Sequence, residues 1–453
     1  MTTYRDLSGN RPNGVPVTED HVPHLPVTVT HCPVIACLGD SITAQGSLNT
    51  DTSQSYNNYG YFTWLRILSL QRVHIPVTHN FGVSGERLDQ IRLRVNDVIN
   101  ADPKPHYCIV LAGTNDVGTR TVQDMVTDMK AILAKLITYG IRPIVMPILP
   151  RSDLVTSQLQ KLMRFDTWLR EYVRTQEWII FVDPTQAWID YANTDGDPRT
   201  DFTQDGLHPT QTGAYVIGKA LADALEPLIP EQHFYVQHVL DIYDASNNPE
   251  GNLLTNGTLN YGIMQGTSGT KTASTGFTPS GNVATGWTLS RSNATSTMTA
   301  VASKEDPRTD GPATGARQKV VIASTVAGGA NELVLLTPTF TQGNVVAGDV
   351  VYAEAKFEIS GMTKVMSVEL RLTDTRTGDS QNNHDGAWSS YTVYLEDATD
   401  SIIGVLKTHP LTIRSDHSSL TCNIAVRLDN TAGDAGATIY ISDVSLRKVG
   451  TLS

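Results

Sequence analysis

The chain has 453 residues, 40% of them hydrophobic and 18% charged, with a formal net charge of −12. That length exceeds one ordinary core and predicts two or three domains of a folded globular protein. The negative balance argues against nucleic acid or an anionic membrane as the main partner, since phosphate recognition wants a basic face, and no stretch approaches the ~20 consecutive apolar residues that span a bilayer.

Residues 1–33 carry Pro12, Pro16, Pro23, Pro26 and Pro33 with little periodicity, which predicts an extended arm. Met1 to Leu7 lack the basic-then-apolar pattern of a secretory signal, so the chain is expected to stay where it is made or to leave by another route. From Val34 the text changes to short apolar runs alternating with helical patterns, the signature of βαβ units and a parallel sheet covered on both faces. Five strands are predicted at Val34–Leu38, Val77–Asn80, Tyr107–Ala112, Pro143–Leu149 and Trp178–Val182. Between them Glu86–Ile99 places Leu88, Ile91, Val95 and Val98 at helical spacing, and Val122–Leu136 repeats Met125, Met129, Ile132 and Leu136. Leu159, Leu162, Phe165, Leu169 and Val173 mark a third helix, and a last one is expected at about Gln211–Leu225. A short amphipathic stretch, Phe234–Tyr243, runs into Asn247-Asn248-Pro249-Glu250-Gly251, read as the domain boundary. Beyond it Thr, Ser, Gly and Val dominate in short alternating segments such as Val350–Phe357 and Met366–Leu372, which predict an all-β sandwich. The expected divisions are 1–33 (arm), 34–230 (α/β domain), 231–251 (linker) and 252–453 (β-sandwich). Of the four cysteines, Cys37 and Cys108 fall inside predicted strands and Cys422 stands alone in the second half, so packed thiols are expected rather than disulfides. Cys32 and Cys37 match no metal-ligand spacing, and no metal site is expected.

Four segments carry chemistry: Gly39-Asp40-Ser41-Ile42-Thr43, directly after the first strand; Asn80-Phe81-Gly82-Val83-Ser84-Gly85; Gly113-Thr114-Asn115-Asp116; and Asp205-Gly206-Leu207-His208. A serine hydroxyl is a weak nucleophile at neutral pH and needs a base, an orienter for that base, and donors for the oxyanion that forms. Ser41 stands where strand turns into helix, with its own N–H toward a developing negative charge; taken alone it reads as a helix N-cap, and the other blocks reverse that reading. His208 is the candidate base because Asp205, three residues earlier in a turn-like segment, can hold the imidazole. His74, His79 and His106 are expected to be solvated or satisfied by neighbours. In an open parallel sheet the ligand crevice lies beyond the carboxyl ends of the strands, where all four segments fall. Asp40 is expected to bond the loop backbone, with tuning of the site as the alternative. Arg151 reads as a substrate contact or a solvated arginine. Residues 44–60, with Tyr56, Asn57, Asn58 and Tyr59, are expected to line the pocket by nearness to Ser41.

Together these blocks resemble the SGNH, or GDSL, hydrolase family over roughly the first half of the chain. The resemblance implies a three-layer α/β/α sandwich with a five-stranded parallel sheet, and acyl ester hydrolysis through an acyl-Ser41 intermediate without a cofactor. It implies a Ser41, Asp205, His208 triad and an oxyanion hole made by the Ser41 N–H, the Gly85 N–H and the Asn115 side-chain amide. In the second half, Asn252–Gly257, Gly286-Trp287 and Ile441–Leu446 look like the boundaries of jelly-roll carbohydrate-binding modules. Trp388 and Tyr391 are the candidate sugar contacts there, and Trp287 is expected in the core. Family relatives sometimes hold a structural calcium, which no acidic cluster here specifies. The pairing of esterase with glycan-like sandwich resembles the polysaccharide deacetylases of bacteriophage tails. That likeness implies an O-acetylated glycan as substrate, a place on the virion, and a homo-oligomer (a trimer) or attachment to a larger assembly through the arm. The competing readings are a lipase or lysophospholipase of the same fold and a non-catalytic, glycan-binding adhesin.

Overall fold

The computed structural model describes residues 32–192, 195–230, 236, 238–292, 296–305, 316–388 and 393–449. The proposed arm, apart from its last two residues, and Phe234 at the start of the amphipathic stretch lie outside them. In the first half, β1 (Ile35–Gly39) leads into α1 (Ser41–Ala44), a hairpin of β2 (Ser47–Asn49) and β3 (Ser53–Asn57), and α2 (Tyr61–Leu68). Then come β4 (Asn80–Gly82), α3 (Leu88–Leu93), α4 (Val95–Ile99), β5 (Tyr107–Leu111), α5 (Val122–Thr138), β6 (Arg142–Val145), α6 (Thr156–Val173), β7 (Ile180–Phe181), α7 (Thr185–Trp188) and α8 (Gln211–Leu225). A five-stranded sheet in the order β4-β1-β5-β6-β7 is parallel throughout.

Alternation along β1 fixes the three layers. Ile35 and Cys37 pack with Tyr61, Leu65, Ile217 and Leu221 on the α2/α8 side. Ala36 and Leu38 pack with Leu88, Ile91, Met129 and Phe165 on the α3 to α6 side. The sheet is therefore the centre of an α/β/α sandwich.

Three sequence expectations shift. Val77–His79 is a 3₁₀ turn and the strand begins only at Asn80. The helix expected over Glu86–Ile99 is two, broken at Arg94, whose φ and ψ of −93° and 3° leave the helical region; its guanidinium is engaged by Glu86 and by the Phe81 carbonyl at 3.1 Å. The apolar run Pro143–Leu149 pairs only as far as Val145, while Met146, Ile148 and Leu149 are buried in the loop beyond it. Apolarity in such a run reports burial, not strand pairing.

The second half builds β8 (Ser268–Lys271), β9 (Phe277–Gly281), β10 (Val283–Ser292), β11 (Thr297–Glu305), β12 (Arg317–Val326), β13 (Glu332–Pro338) and β14 (Val350–Thr363). It continues with β15 (Val365–Arg376), β16 (Ser380–Ala387), β17 (Ser401–Lys407), β18 (Leu411–Thr412), β19 (His417–Leu428) and β20 (Gly436–Lys448). One sheet runs β17-β14-β20-β12-β11-β9, with β18 on β14; the other runs β2-β3-β16-β15-β19-β13-β10-β8. Leu289, Val334, Leu370 and Ile424 of the latter meet Ala300, Val320, Val351 and Ile439 of the former in one core, a face-to-face β-sandwich. Trp287 is buried in it, its Nε1 donating to the Tyr261 carbonyl at 2.8 Å. All four cysteines are free thiols.

The two halves share more than a linker. β3 pairs in parallel with β16, so a hairpin from the first half extends a sheet of the second. Trp64, Ile67, Ala214 and Tyr215, from α2 and α8, belong to the sandwich's own apolar cluster. Gly404 permits the approach of α2, because a Cβ there would stand 2.4 Å from Ile67 Cγ2. Polar ties cross the same seam: Arg66 pairs with Asp385 at 2.9 Å, Gln71 Nε2 donates to the Val405 carbonyl at 2.7 Å, and Asn58 Nδ2 donates to the Met366 carbonyl at 3.2 Å.

Asp166, buried in α6, accepts the Ile148 N–H at 3.0 Å. Burial pushes its carboxyl up from the ordinary 3.8 to about 7, against the opposing pull of that N–H and of Arg170. A folded pKa above the unfolded one means that this group's contribution to stability is complete below the unfolded value and is lost as pH rises through about 7. Asp166→Asn keeps the accepting oxygen and removes the titration, so its melting temperature relative to the parent is expected to rise between pH 5 and pH 8. A constant difference across that range would contradict the assignment.

Candidate active site

Gly39 ends β1 and turns the chain at a place where a Cβ would stand 2.4 Å from the Leu111 carbonyl oxygen and 2.4 Å from Thr43 Oγ1. Asp40 then caps α1, its Oδ1 accepting the Ile42 N–H at 3.1 Å. The cap is thus Asp40, as the backbone-bonding reading of that residue expected, and the Ser41 side chain is left for other work. Burial raises the Asp40 carboxyl to about 7, partly offset by the Ile42 N–H and by His208, and its Oδ2 has no hydrogen-bond partner.

Ser41 Oγ lies 2.8 Å from His208 Nε2, although 167 residues separate them in sequence. His208 Nδ1 lies 2.8 Å from Asp205 Oδ2. The other carboxylate oxygen accepts the backbone N–H groups of Leu207 at 3.1 Å and His208 at 2.8 Å, a turn closed at Gly206 with φ of +85°. Outside ties hold the loop: the Ser152 N–H donates to the Gly206 carbonyl at 3.1 Å, and the Gln204 and Gln45 side-chain amides donate to the Pro209 carbonyl at 2.6 and 3.4 Å.

Burial works to raise the Asp205 carboxyl, but the hydrogen bonds from the His208 backbone and ring and from Leu207 outweigh it and leave the group below its ordinary value. It is therefore an ionised acceptor at neutral pH. An acceptor-only carboxylate requires the proton on Nδ1, which leaves the Nε2 lone pair facing the Ser41 hydroxyl. The arrangement can draw the proton off Oγ.

Gly85, with φ of +80°, sits in the turn after β4, with nothing within 4 Å of where a Cβ would be. Asn115, two residues past Gly113, donates from Nδ2 to the Glu86 carbonyl at 3.0 Å, which brings the second and third blocks together. That bond uses one hydrogen of the amide and leaves the other for a ligand. Behind it Asp116, fully buried, accepts the Leu88 N–H at 2.9 Å and Arg120 Nη1 at 3.1 Å. In the sequence only its place beside Asn115 marks Asp116.

Other expectations divide. Arg151 is neither solvated nor free: it pairs with Asp153 and donates to Thr114 Oγ1 and the Thr114 carbonyl at 3.0 and 3.1 Å, bracing the Asn115 block. Tyr59 is half-buried, its carbonyl accepting from Gln45 Nε2 at 3.1 Å. Tyr56 and Asn58 are buried and cannot line an open pocket; Tyr56 donates to the Ile75 carbonyl at 2.8 Å. Their stretch is the hairpin that joins the second sheet, and Ser55, Tyr56 and Asn58 are all buried where it meets that sheet. His79 and His106 are satisfied, through the Pro103 carbonyl at 2.7 Å and the Val34 N–H at 3.1 Å. Trp388 lies on the sandwich, with the Arg427 guanidinium 4.9 Å from its ring centroid, and Tyr391 lies outside the described residues. Among the described residues no group of three or more His, Cys, Asp or Glu is placed to hold a metal ion, and no helix is long and apolar enough to cross a membrane.

Residues 37–216 match the GDSL-like Lipase/Acylhydrolase family. Similar solved structures include a GDSL-like lipase of Bacteroides thetaiotaomicron, 20% identical over 43% of this chain and 89% of that one, with a TM-score of 0.34. Another is a carbohydrate esterase family 3 protein of Talaromyces cellulolyticus, 19% identical over 43% of this chain and 96% of that one, with a TM-score of 0.33. A member of the lipolytic G-D-S-L family from Veillonella parvula is 19% identical over 42% of this chain and 96% of that one, with a TM-score of 0.34. No curated protein matches the chain.

Proposed function

Through residues 37–216 the chain belongs to the GDSL/SGNH hydrolase superfamily and is a carboxylic ester hydrolase, and from that premise we propose that Ser41, His208 and Asp205 cleave O-acetyl esters on a carbohydrate. The observation that carries the roles is the unbroken relay of 2.8 Å from Ser41 Oγ to His208 and 2.8 Å from His208 to Asp205.

Ser41 Oγ attacks the ester carbonyl as His208 Nε2 takes its proton, and Asp205 steadies the imidazolium. The oxyanion is held by the N–H groups of Ser41 and Gly85 and by Asn115 Nδ2. Collapse of this intermediate expels the sugar alkoxide, which recovers the proton from His208 and leaves acyl-Ser41. Water then attacks with His208 as base, and the acid departs as the proton returns to Ser41. Asn115→Ala is expected to cost about 2.7–4 kcal/mol in the transition state, read as a fall in kcat in a protein that stays folded but loses about 0.5–1.5 kcal/mol of stability with the Glu86 bond.

A polymeric substrate fits the exposure, since the His208 and Asp205 side chains are 27% and 55% accessible and the Ser41 turn runs directly into β2 at the edge of the sandwich. In this reading 34–230 is the catalytic unit and 252–453 serves the glycan. A phage-tail location, with the 1–33 arm as attachment and a trimer as assembly, belongs to the same reading and calls for a solution mass of the full chain. Acetate release from a panel of acetylated bacterial glycans tests the substrate class. Activity that climbs from acetyl to octanoyl esters, with no acetate released from any glycan, would favour a lipase instead.

A further inference from the structure

The outward face of β16, β15 and β19 concentrates polar atoms that nothing satisfies. Alternation turns Leu370, Leu372 and Ile424 into the sandwich core, so Arg371 faces outward, and the register sets His384 on one side of it and Asn423 on the other. Arg371 Nε, His384 Nε2 and Asn423 Oδ1 are shielded from solvent without a hydrogen-bond partner, as is Trp388 Nε1 just past the end of β16. These four are a third of the twelve such atoms among the described residues, too many on three adjacent strands to be scattered accidents of packing. The neighbouring carboxylate does not resolve them. Glu369 is committed to Arg427 at 2.7 and 3.3 Å and to the Ser367 hydroxyl at 2.6 Å, and it approaches Arg371 Nε only to 3.7 Å. The face is open at its other end, where Thr421 is exposed and Arg371, His384 and Asn423 are themselves partly exposed.

The chemistry of the set selects its ligand. Arg371 Nε and Trp388 Nε1 can only donate, Asn423 Oδ1 can only accept, and His384 Nε2 does either according to tautomer. Burial, reinforced by Arg371, lowers the His384 imidazole to about 4 and keeps it neutral at physiological pH. A carboxylate or phosphate offers acceptors alone and would leave the Asn423 Oδ1 unsatisfied. Saccharide hydroxyls both give and accept, and stand on adjacent ring carbons.

We propose that this face is a saccharide-binding site in which hydroxyls of a glycan segment bridge Arg371, His384 and Asn423. The proposal rests on reading the substrate as a carbohydrate ester, and adds that the polymer is gripped on the sandwich while its ester is cut at Ser41. Strand β3 links the two places, pairing with β16 beside His384 and leading back through β2 to the Ser41 turn.

The test uses the full chain with Ser41→Ala, which holds substrate without turnover, on an array of neutral and acidic hexasaccharides, with calorimetry against inorganic phosphate alongside. At least one hexasaccharide is expected to bind, and Arg371→Met and Asn423→Leu are each expected to weaken it by about tenfold or more. Melting curves confirm that the variants fold; if Arg371→Met does not, the near-isosteric Asn423→Leu decides. Binding of no hexasaccharide, binding unmoved by the variants, or binding of phosphate alone overturns the proposal. Hydrolysis of p-nitrophenyl acetate by the parent protein is read separately, so a failure of the esterase reading is distinguishable from a failure here.

Discussion

Ser41→Ala and His208→Ala are each expected to lower kcat on an acetyl ester by about 10⁶-fold, with the double variant scarcely worse than either single one. Non-additivity is the informative part. The Oγ to Nε2 contact of 2.8 Å makes the pair one device, so once either member is gone the other has no proton to exchange, and only the oxyanion donors and substrate binding remain. Both singles should stay folded near the parent melting temperature, because Ser41 is not the cap of α1 and the His208 side chain is 27% accessible rather than part of a core. A fluorophosphonate probe should label the parent at Ser41 and leave His208→Ala unlabelled on the same timescale. If the two single variants lose unequal activity by more than about a hundredfold, and the losses multiply in the double, the relay is not the catalytic unit.

Asp385→Ala is expected to cost about 3–5 kcal/mol of unfolding free energy, because it strands the Arg66 guanidinium as a buried charge. Arg66 has only 3% of its side chain accessible and Asp385 none; the other contacts of Arg66, bonds of 2.7 Å to the Lys407 carbonyl and 3.4 Å to Gln71 Oε1 and the Tyr56 ring with its centroid at 3.5 Å, are all uncharged and do not neutralise it. Burial pushes the Asp385 carboxyl above its ordinary value despite Arg66 and the Lys407 N–H, and a buried ion pair replaced whole by apolar side chains of similar volume is often neutral or stabilising. The double replacement Arg66→Met, Asp385→Leu is therefore expected to recover most of the loss. Urea unfolding of the four proteins measures both effects, and an Asp385→Ala midpoint equal to that of the parent would remove this pair from the account of how the halves are joined.

How far the sequence reached depends on the range of the interaction concerned. Helices α5, α6 and α8 were legible because their apolar spacing is a local property that packing merely ratifies. The reactive blocks were legible for a related reason: Asp205 and His208 lie on one turn, and Gly39, Gly82 and Gly113 sit where strands end. The hairpin and α2 were not. Ser53-Gln54-Ser55-Tyr56-Asn57 alternates weakly, and its partner strand begins more than three hundred positions later, so no local pattern announces it as part of a sheet. Arg151 read as a substrate contact or a solvated arginine and Asp116 drew no role for the same reason, since Thr114 and Leu88, which hold them, are distant in the chain. Tyr56 and Asn58 were close to Ser41 in number but are buried by distant partners, the Ile75 and Met366 carbonyls.

The shared hairpin imposes an order on biosynthesis. Asn58 and the Met366 carbonyl, which close the seam at 3.2 Å, are 308 positions apart, and a ribosome adding about 5–20 residues per second needs roughly 15–60 s to deliver the second after the first. Throughout that interval the nascent N-terminal half carries an unpaired strand edge and the bare apolar flank of Trp64 and Ile67, so a chaperone or a neighbouring nascent chain has its best opening before translation is complete.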